Sequence, residues 1–248
     1  MFTTKKFEKA IKNWQKDKHD FKSIRPYFSQ PPTFHFSPSD QEWLAKNNNH
    51  DHFRIYIGIL DDQLYQILAP LDKNGEVKKL NKYVAVPSTP LQGQLNLTEQ
   101  VVITKTKTTV LGKNFEVLNQ ITSVESPYAN EPSLTEDESL KELIDWRNNG
   151  FNWLYLATTE ASGKNIFNYF SVPYSDLKSK DGSSEIITSA FGLKNISAYP
   201  SPLPVLIFIA HDDHQGHLYR FNQVSAANFS ANAADWASPC PPFCDEDG

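Results

Sequence analysis

The chain reads as an α+β protein: antiparallel sheets built from three or more β-hairpins, with short helices on one side. Three observations predict this. Residues 53–69, 151–172 and 204–221 each combine an aromatic- and aliphatic-rich run, a polar turn and a return run carrying Tyr or Phe. Two of these units follow a short helical pattern and an Asn-rich corner. A hairpin alone is marginal in water, so such ribbons must join further strands or be covered by helices. The 248 residues, 39% hydrophobic, 12% aromatic and 21% charged, suit a globular chain rather than a disordered, fibrous or membrane one. At this length one large domain and two small ones are both reasonable.

The elements follow in order. Phe7, Ala10, Ile11 and Trp14 recur at helical spacing and predict a helix over about residues 4–19 that docks by this stripe, its lysines elsewhere on the surface. Arg25-Pro26 and Pro31-Pro32 end it and predict an extended connector. Ser37-Pro38-Ser39-Asp40 supplies a cap and a permissive first turn for a helix to about Lys46, with Trp43 and Leu44 facing inward. Residues 53–60, a turn at Asp61-Asp62 and residues 64–69 form the clearest hairpin. Asp72-Lys73-Asn74-Gly75 turns the chain into a third strand over 76–86, closed by Pro87.

Residues 87–112 fit strand or helix equally, whereas 110–124 suit a hairpin around Gly112-Lys113-Asn114. Residues 127–132 are polar and broken by prolines, the best internal boundary. Beyond it, Ser133 to Glu138 open an acid-rich helix that Leu140, Leu143, Ile144 and Arg147 continue to Asn148-Asn149-Gly150. Strands are then expected at 151–157, 166–172, 204–210 and 218–221. Two halves result, 1–126 and 127–230 packed on it, with an extended tail over 231–248. Duplication of a helix-hairpin unit explains them economically; the compositional likeness of all hairpins is the rival explanation.

Charge is uneven. The formal net charge is -5, yet residues 1–25 carry eight Lys/Arg against three Asp/Glu. The ordinary reading is a solvated helix face; the functional one is contact with an anionic surface. The first residues lack the apolar run of a signal peptide, and no stretch approaches the ~20 apolar residues of a spanning helix, which predicts a cytoplasmic protein without a membrane span.

Candidate chemistry is sparse. His211, Asp212, Asp213, His214 and His217 fall within seven residues and offer nitrogen and oxygen ligands for zinc or another divalent metal, although a polar hairpin tip explains them as well. His50-Asp51-His52 reads as a surface corner. Cys240 and Cys244, the two cysteines of the chain, flank Pro241-Pro242-Phe243 on a stiff segment. They fit inert thiols on a solvated or partner-docking tail, a local disulfide, or metal ligands, and a reducing compartment disfavours the disulfide. Trp14, Trp43, Trp146 and Trp153 suit core or edge positions. Trp236, beside the tail, reads as an aromatic that needs a groove. No G-x-S-x-G, H-E-x-x-H, phosphate loop or Gly-rich dinucleotide loop is present, and no strand interleaves basic and aromatic residues as an RNA-binding sheet does.

The 53–60 strand, the segment Phe36-Ser-Pro-Ser-Asp-Gln-Glu-Trp43 and the closing Cys240-Pro-Pro-Phe-Cys244 resemble a loose group of uncharacterised Bacteroidota proteins. Those combine a short helix, an RIYFG-like strand and a terminal Cys-Pro-Pro-x-Cys. The likeness covers about residues 36–75 and the cysteine segment, and this chain departs from it by extra hairpins in the middle. It implies a bacterial origin and a recurring tail, and transfers no catalytic residue.

The resulting expectation is a non-enzymatic, cofactor-free cytoplasmic module that binds a protein partner through sheet edges or exposed aromatics, with Trp236, Cys240, Pro241, Pro242, Phe243 and Cys244 as the docking peptide. Nucleic acid is not an expected partner. The alternative is a metal-binding protein or metal-dependent hydrolase using His211, Asp213, His214 and His217.

Overall fold

A computed structural model of the protein describes residues 1–91, 94–97, 99–101, 104–125, 135–177, 185–197, 199–211, 229–231, 233–234 and 237–244. In chain order, β1 (Phe2–Thr3), α1 (Thr4–Asp17), α2 (Phe21–Phe28), β2 (Pro32–Phe36) and α3 (Pro38–Asn47) lead into the hairpin of β3 (His52–Leu60) and β4 (Gln63–Ala69). Short strands β5 (Lys82–Tyr83), β6 (Ala85–Pro87), β7 (Thr89–Pro90) and β8 (Glu99–Val101) precede a second hairpin, β9 (Thr104–Leu111) and β10 (Val117–Glu125). Then come α4 (Glu136–Ala161), β11 (Tyr169–Pro173), a 3-10 turn (Tyr174–Leu177), β12 (Ile186–Lys194), β13 (Leu203–His211), β14 (Phe229–Ala231), β15 (Ala233–Ala234) and β16 (Ser238–Cys240).

The architecture is α+β with antiparallel sheets. One five-stranded sheet has the order β16-β11-β3-β4-β6 and the other β15-β13-β12-β2-β7. Each draws strands from both halves of the chain, so the expected halves share both sheets. Alternation along the strands sends Phe53, Ile55, Ile57 and Ile59 of β3 and Phe170 and Val172 of β11 into one cluster. Phe34 and Phe36 of β2, Phe191 of β12 and Phe208 of β13 join them there. Gln66 Nε2 donates to Ser189 Oγ at 3.2 Å between these inner faces. On the other face of β3 and β4, α1 lays Phe7 and Ala10, as the helical stripe requires, and Phe7 stacks on Tyr83 at 4.1 Å.

Further along α1 the same stripe reaches the main core. Trp14 is fully buried, and its Nε1 donates to the Phe167 carbonyl at 2.8 Å. Just past the helix, Lys18 lies buried with Nζ donating to the Ile166 carbonyl at 2.7 Å and to Asn168 Oδ1 at 2.8 Å. Burial lowers its pKa from the ordinary 10.5 to about 8. The carboxyl end of α4 docks on the same corner. Ser162 and Gly163 both adopt positive φ there, and a Cβ on Gly163 would fall against the Lys18 carbonyl oxygen.

Three local expectations are corrected. Residues 151–157 are helical, because α4 continues through Asn148-Asn149-Gly150. Its buried positions, Glu142, Trp146, Gly150, Leu154 and Thr158, keep helical spacing across that supposed stop. Gly150 leaves room for the indole of Trp146, which stacks on Phe191 at 5.0 Å. The second helix-hairpin unit expected over 133–172 therefore does not form, and β11 pairs with β3 and β16 instead. Residues 21–28 are helical as well. Asp20 caps them, and the carbonyl that Pro26 leaves without a helical donor belongs to exposed Lys22, where water serves. Finally, the tail does not leave the body extended, since β16 is an edge strand of the first sheet.

Other expectations match. The capping box of Ser37 and Asp40 starts α3, and β3–β4 and β9–β10 are hairpins. The strand expected over 76–86 is broken into the pieces β5 and β6, and 87–112 holds β7, β8 and β9. The partner of β13 is β12, in nine-residue register. The return strand expected at 218–221 lies outside the described residues.

Two tests follow. Between pH 8 and 10.5 the folded state binds fewer protons at Lys18 than the unfolded one, so its stability rises with pH there. Urea unfolding should show wild type gaining stability from about pH 7.5 to about pH 9.5 and Lys18→Met losing that gain. Gly163→Ala should cost about 2–3 kcal/mol in the same assay, through positive φ and the clash with a neighbouring backbone.

Candidate functional site

Behind the pinned corner, α4 leaves a groove of about 710 Å³ between itself, the 199–204 segment and the turn after β16. Successive turns of α4 present Asn149, Asn152, Trp153, Leu156 and Glu160 to it. Trp153 is held from both sides. Its ring stacks on Phe167 at 6.4 Å, and its Nε1 donates to the Pro202 carbonyl at 3.0 Å, tying the helix to the opposite wall. That wall, Tyr199-Pro200-Ser201-Pro202-Leu203-Pro204, is stiff because alternate residues have fixed φ and lack an amide donor.

The third wall is the cysteine segment. Cys240 and Cys244 form a disulfide, and no cysteine is free. This corrects the expectation of inert thiols on a solvated tail. Cys240 is 3% exposed, because β16 pairs with β11 and the Cys240 carbonyl accepts from Asn168 N at 2.7 Å. The Cys240–Pro241 and Pro241–Pro242 peptide bonds are both cis. Pro241 and Pro242 line the groove, and Phe243 N donates to the Pro239 carbonyl at 2.9 Å. The Phe243 ring meets Tyr199 edge-on at 5.5 Å, which joins the second wall to the third. The structure thus brings five of the six expected tail residues to one place. Trp236 lies outside the described residues.

The histidine cluster divides. His211 ends β13 with Nε2 2.7 Å from Thr188 Oγ1, and His35 of β2 approaches the same oxygen with Nδ1 at 2.8 Å. Thr188 owns one hydroxyl proton, so it donates to one imidazole and accepts from the other. Burial, then the neighbouring His211, lowers the His35 pKa. The hydroxyl is fully buried, and this chain of bonds joins three strands of the second sheet. Asp213, His214 and His217 lie outside the described residues. Among the described residues, no three His, Cys, Asp or Glu side chains are grouped to hold a metal. His50 and His52 sit at a corner where His52 N donates to His50 Nδ1 at 3.1 Å.

Electrostatically the groove is nearly neutral. Glu160 is the carboxylate of its lining, and none of the described lining residues is an imidazole, thiol or ammonium. Beside Glu160 the lining carries the Ser201 and Tyr199 hydroxyls, an apolar floor of Leu193 and Leu203, stiff proline walls, two aromatic rings and asparagine amides at the rim. Sequence reasoning missed Trp153, by treating it as a strand residue, and Tyr199 to Pro204, whose alternating prolines are the signal that marks a rigid wall. The five lysines of α1 outside the buried stripe are exposed and face solvent.

No protein-family model, curated protein or solved structure matches the chain. No helix among the described residues is long and apolar enough to cross a membrane.

The ring should be a structural part of the groove. Cys244→Ser is expected to lower stability by about 2 kcal/mol, the chain-entropy value for so short a loop. Differential scanning calorimetry should then show a melting temperature lower by roughly 4–8 °C.

Proposed function

We propose that the protein is a non-enzymatic binding module whose groove holds an extended apolar segment of a partner protein. The observation that carries this reading is the groove's construction. Its walls are made of groups that cannot relax, a disulfide ring and alternating prolines, and the asparagine amides among its polar groups can pair with peptide backbone. Stiff walls reduce the ordering cost of binding, and a volume inside the range of about 300–1,000 Å³ suits a short segment. Leu156, 39% exposed, and Trp153 supply the apolar surface, and Glu160 favours a basic residue at one end.

In this reading the cysteine segment serves as part of the receptor and does not itself dock elsewhere. The reading also bears on location. A disulfide persists in an oxidising compartment and is reduced by cytoplasmic thiols, so the groove's working form belongs to an oxidising setting rather than to the cytoplasm expected from the first residues.

Selection of random peptides of about ten residues on the oxidised protein tests the proposal. Enriched peptides should pair apolar anchors with a basic residue and bind Leu156→Glu at least about ten-fold more weakly. Recovery of no peptide, or of peptides indifferent to Leu156→Glu, overturns it.

A further inference from the structure

The β9–β10 ribbon stands apart from the two large sheets. It forms a two-stranded sheet of its own, and every residue from 105 to 123 is exposed apart from Gly112 at its turn. Its tip and outer strand present large apolar side chains to water: Phe115 is 83% exposed, Leu118 63% and Ile121 54%. A ribbon with both faces wet gains little from its own pairing, which makes a 22-residue excursion of this kind a surface built for contact.

The edges of the molecule differ in how they are guarded. The five-stranded sheets end in strands of two or three residues, and three of these four carry a proline: Pro87 in β6, Pro90 in β7 and Pro239 in β16. Proline and shortness are the usual protections against edge-to-edge pairing. The ribbon's β9 edge carries Lys105 and Lys107, which serve the same end. Strand β10 has neither device; its register with β9 shifts between Val117 and Asn119, at the turn end, and is regular from Asn119 to Glu125. It runs nine residues with no proline, holds no charge from Val117 to Val124, and among the described residues pairs on one side alone.

We infer that the edge of β10 left unpaired among the described residues pairs antiparallel with β10 of a second copy of this chain, giving a four-stranded sheet β9-β10-β10-β9 across a two-fold axis. Charge selects this occupant. Two β10 edges meet without any like-charge contact, whereas two β9 edges would bring lysines together. A two-fold axis also pairs the strand with itself in the antiparallel sense, so one edge completes its own hydrogen bonding. The face holding Thr106, Thr108, Val110, Asn119, Ile121 and Ser123 is uncharged as well, by the register Thr106↔Ser123, Thr108↔Ile121 and Val110↔Asn119. Joining two ribbons therefore doubles an uncharged, β-branched face without burying a charge.

Sedimentation of the full chain, at loadings up to about 100 μM, tests this together with hydrogen exchange. Wild type should form a dimer, with backbone amides of residues 117–124 exchanging more slowly as concentration rises. Asn119→Lys/Ile121→Lys should weaken dimerisation at least ten-fold through like-charge contact across the axis, while Lys107→Thr should not weaken it. A wild type that stays monomeric with concentration-independent exchange overturns the inference. So does a dimer that the double-lysine variant leaves intact, or one whose protected amides lie outside β10. The exchange readout needs no variant, so a variant that fails to fold leaves the inference testable.

Discussion

Trp14 and Lys18, one turn apart on α1 and just beyond it, hold the short segment from Ile166 to Asn168, and most of the architecture hangs from that grip. Three donors from the amino-terminal region meet three acceptors more than 140 residues away: the indole to Phe167 O, and the ammonium to Ile166 O and Asn168 Oδ1. The same segment then serves both of its neighbours. Ile57 N donates to Asn168 O, and Asn168 N donates to Cys240 O, so β3 and the cysteine strand are aligned through one residue. Phe167, between the two anchors, is fully buried and packs against Trp14, Trp153, Phe170 and Phe191.

Burying an ammonium is costly unless its donors are satisfied, and the lowered pKa of Lys18 records that cost. The geometry limits it: a neutral amine retains two N–H groups, enough for both bonds. The arrangement trades some stability for a fixed meeting point of α1, the carboxyl end of α4 and β11. Gly163 closes the corner from the α4 side, where His19 Nδ1 also meets the Ser162 carbonyl. With that corner set, Trp153 is oriented by its stack on Phe167, and the groove wall at Pro202 is reached by its indole N–H. Site geometry is thus inherited from a core contact far away in sequence.

Much of the local structure is legible from residue order. The Phe7, Ala10, Trp14 stripe, the capping box at Ser37 and Asp40, and the alternation through Phe53, Ile55, Ile57 and Ile59 each state their own conformation, because the signal repeats at the period of the element. The stretch after Gly150 conceals its period. Phe151, Trp153, Leu154, Tyr155, Leu156 and Ala157 are nearly all apolar, so neither two-fold nor 3.6-fold spacing stands out, and aromatic content suggests a strand. Packing settles the matter: Trp146 needs the bare Cα of Gly150 beneath its ring, and Phe21 of α2 packs edge-on against Phe151 and Tyr155, which a strand could not offer together.

By itself the sequence determined the fold class, the first hairpin and the turn at Gly112-Lys113-Asn114 within the hairpin expected at 110–124, since the local signals rest on neighbours within a few residues. Tertiary structure alone decided that the two halves interleave in both sheets and that β16 joins β11. It also decided that the cysteines close into a ring forming one wall of a groove with Trp153 and Tyr199. Those outcomes depend on which distant surfaces bury each other, and strand partnership leaves no mark on the order of residues along either strand.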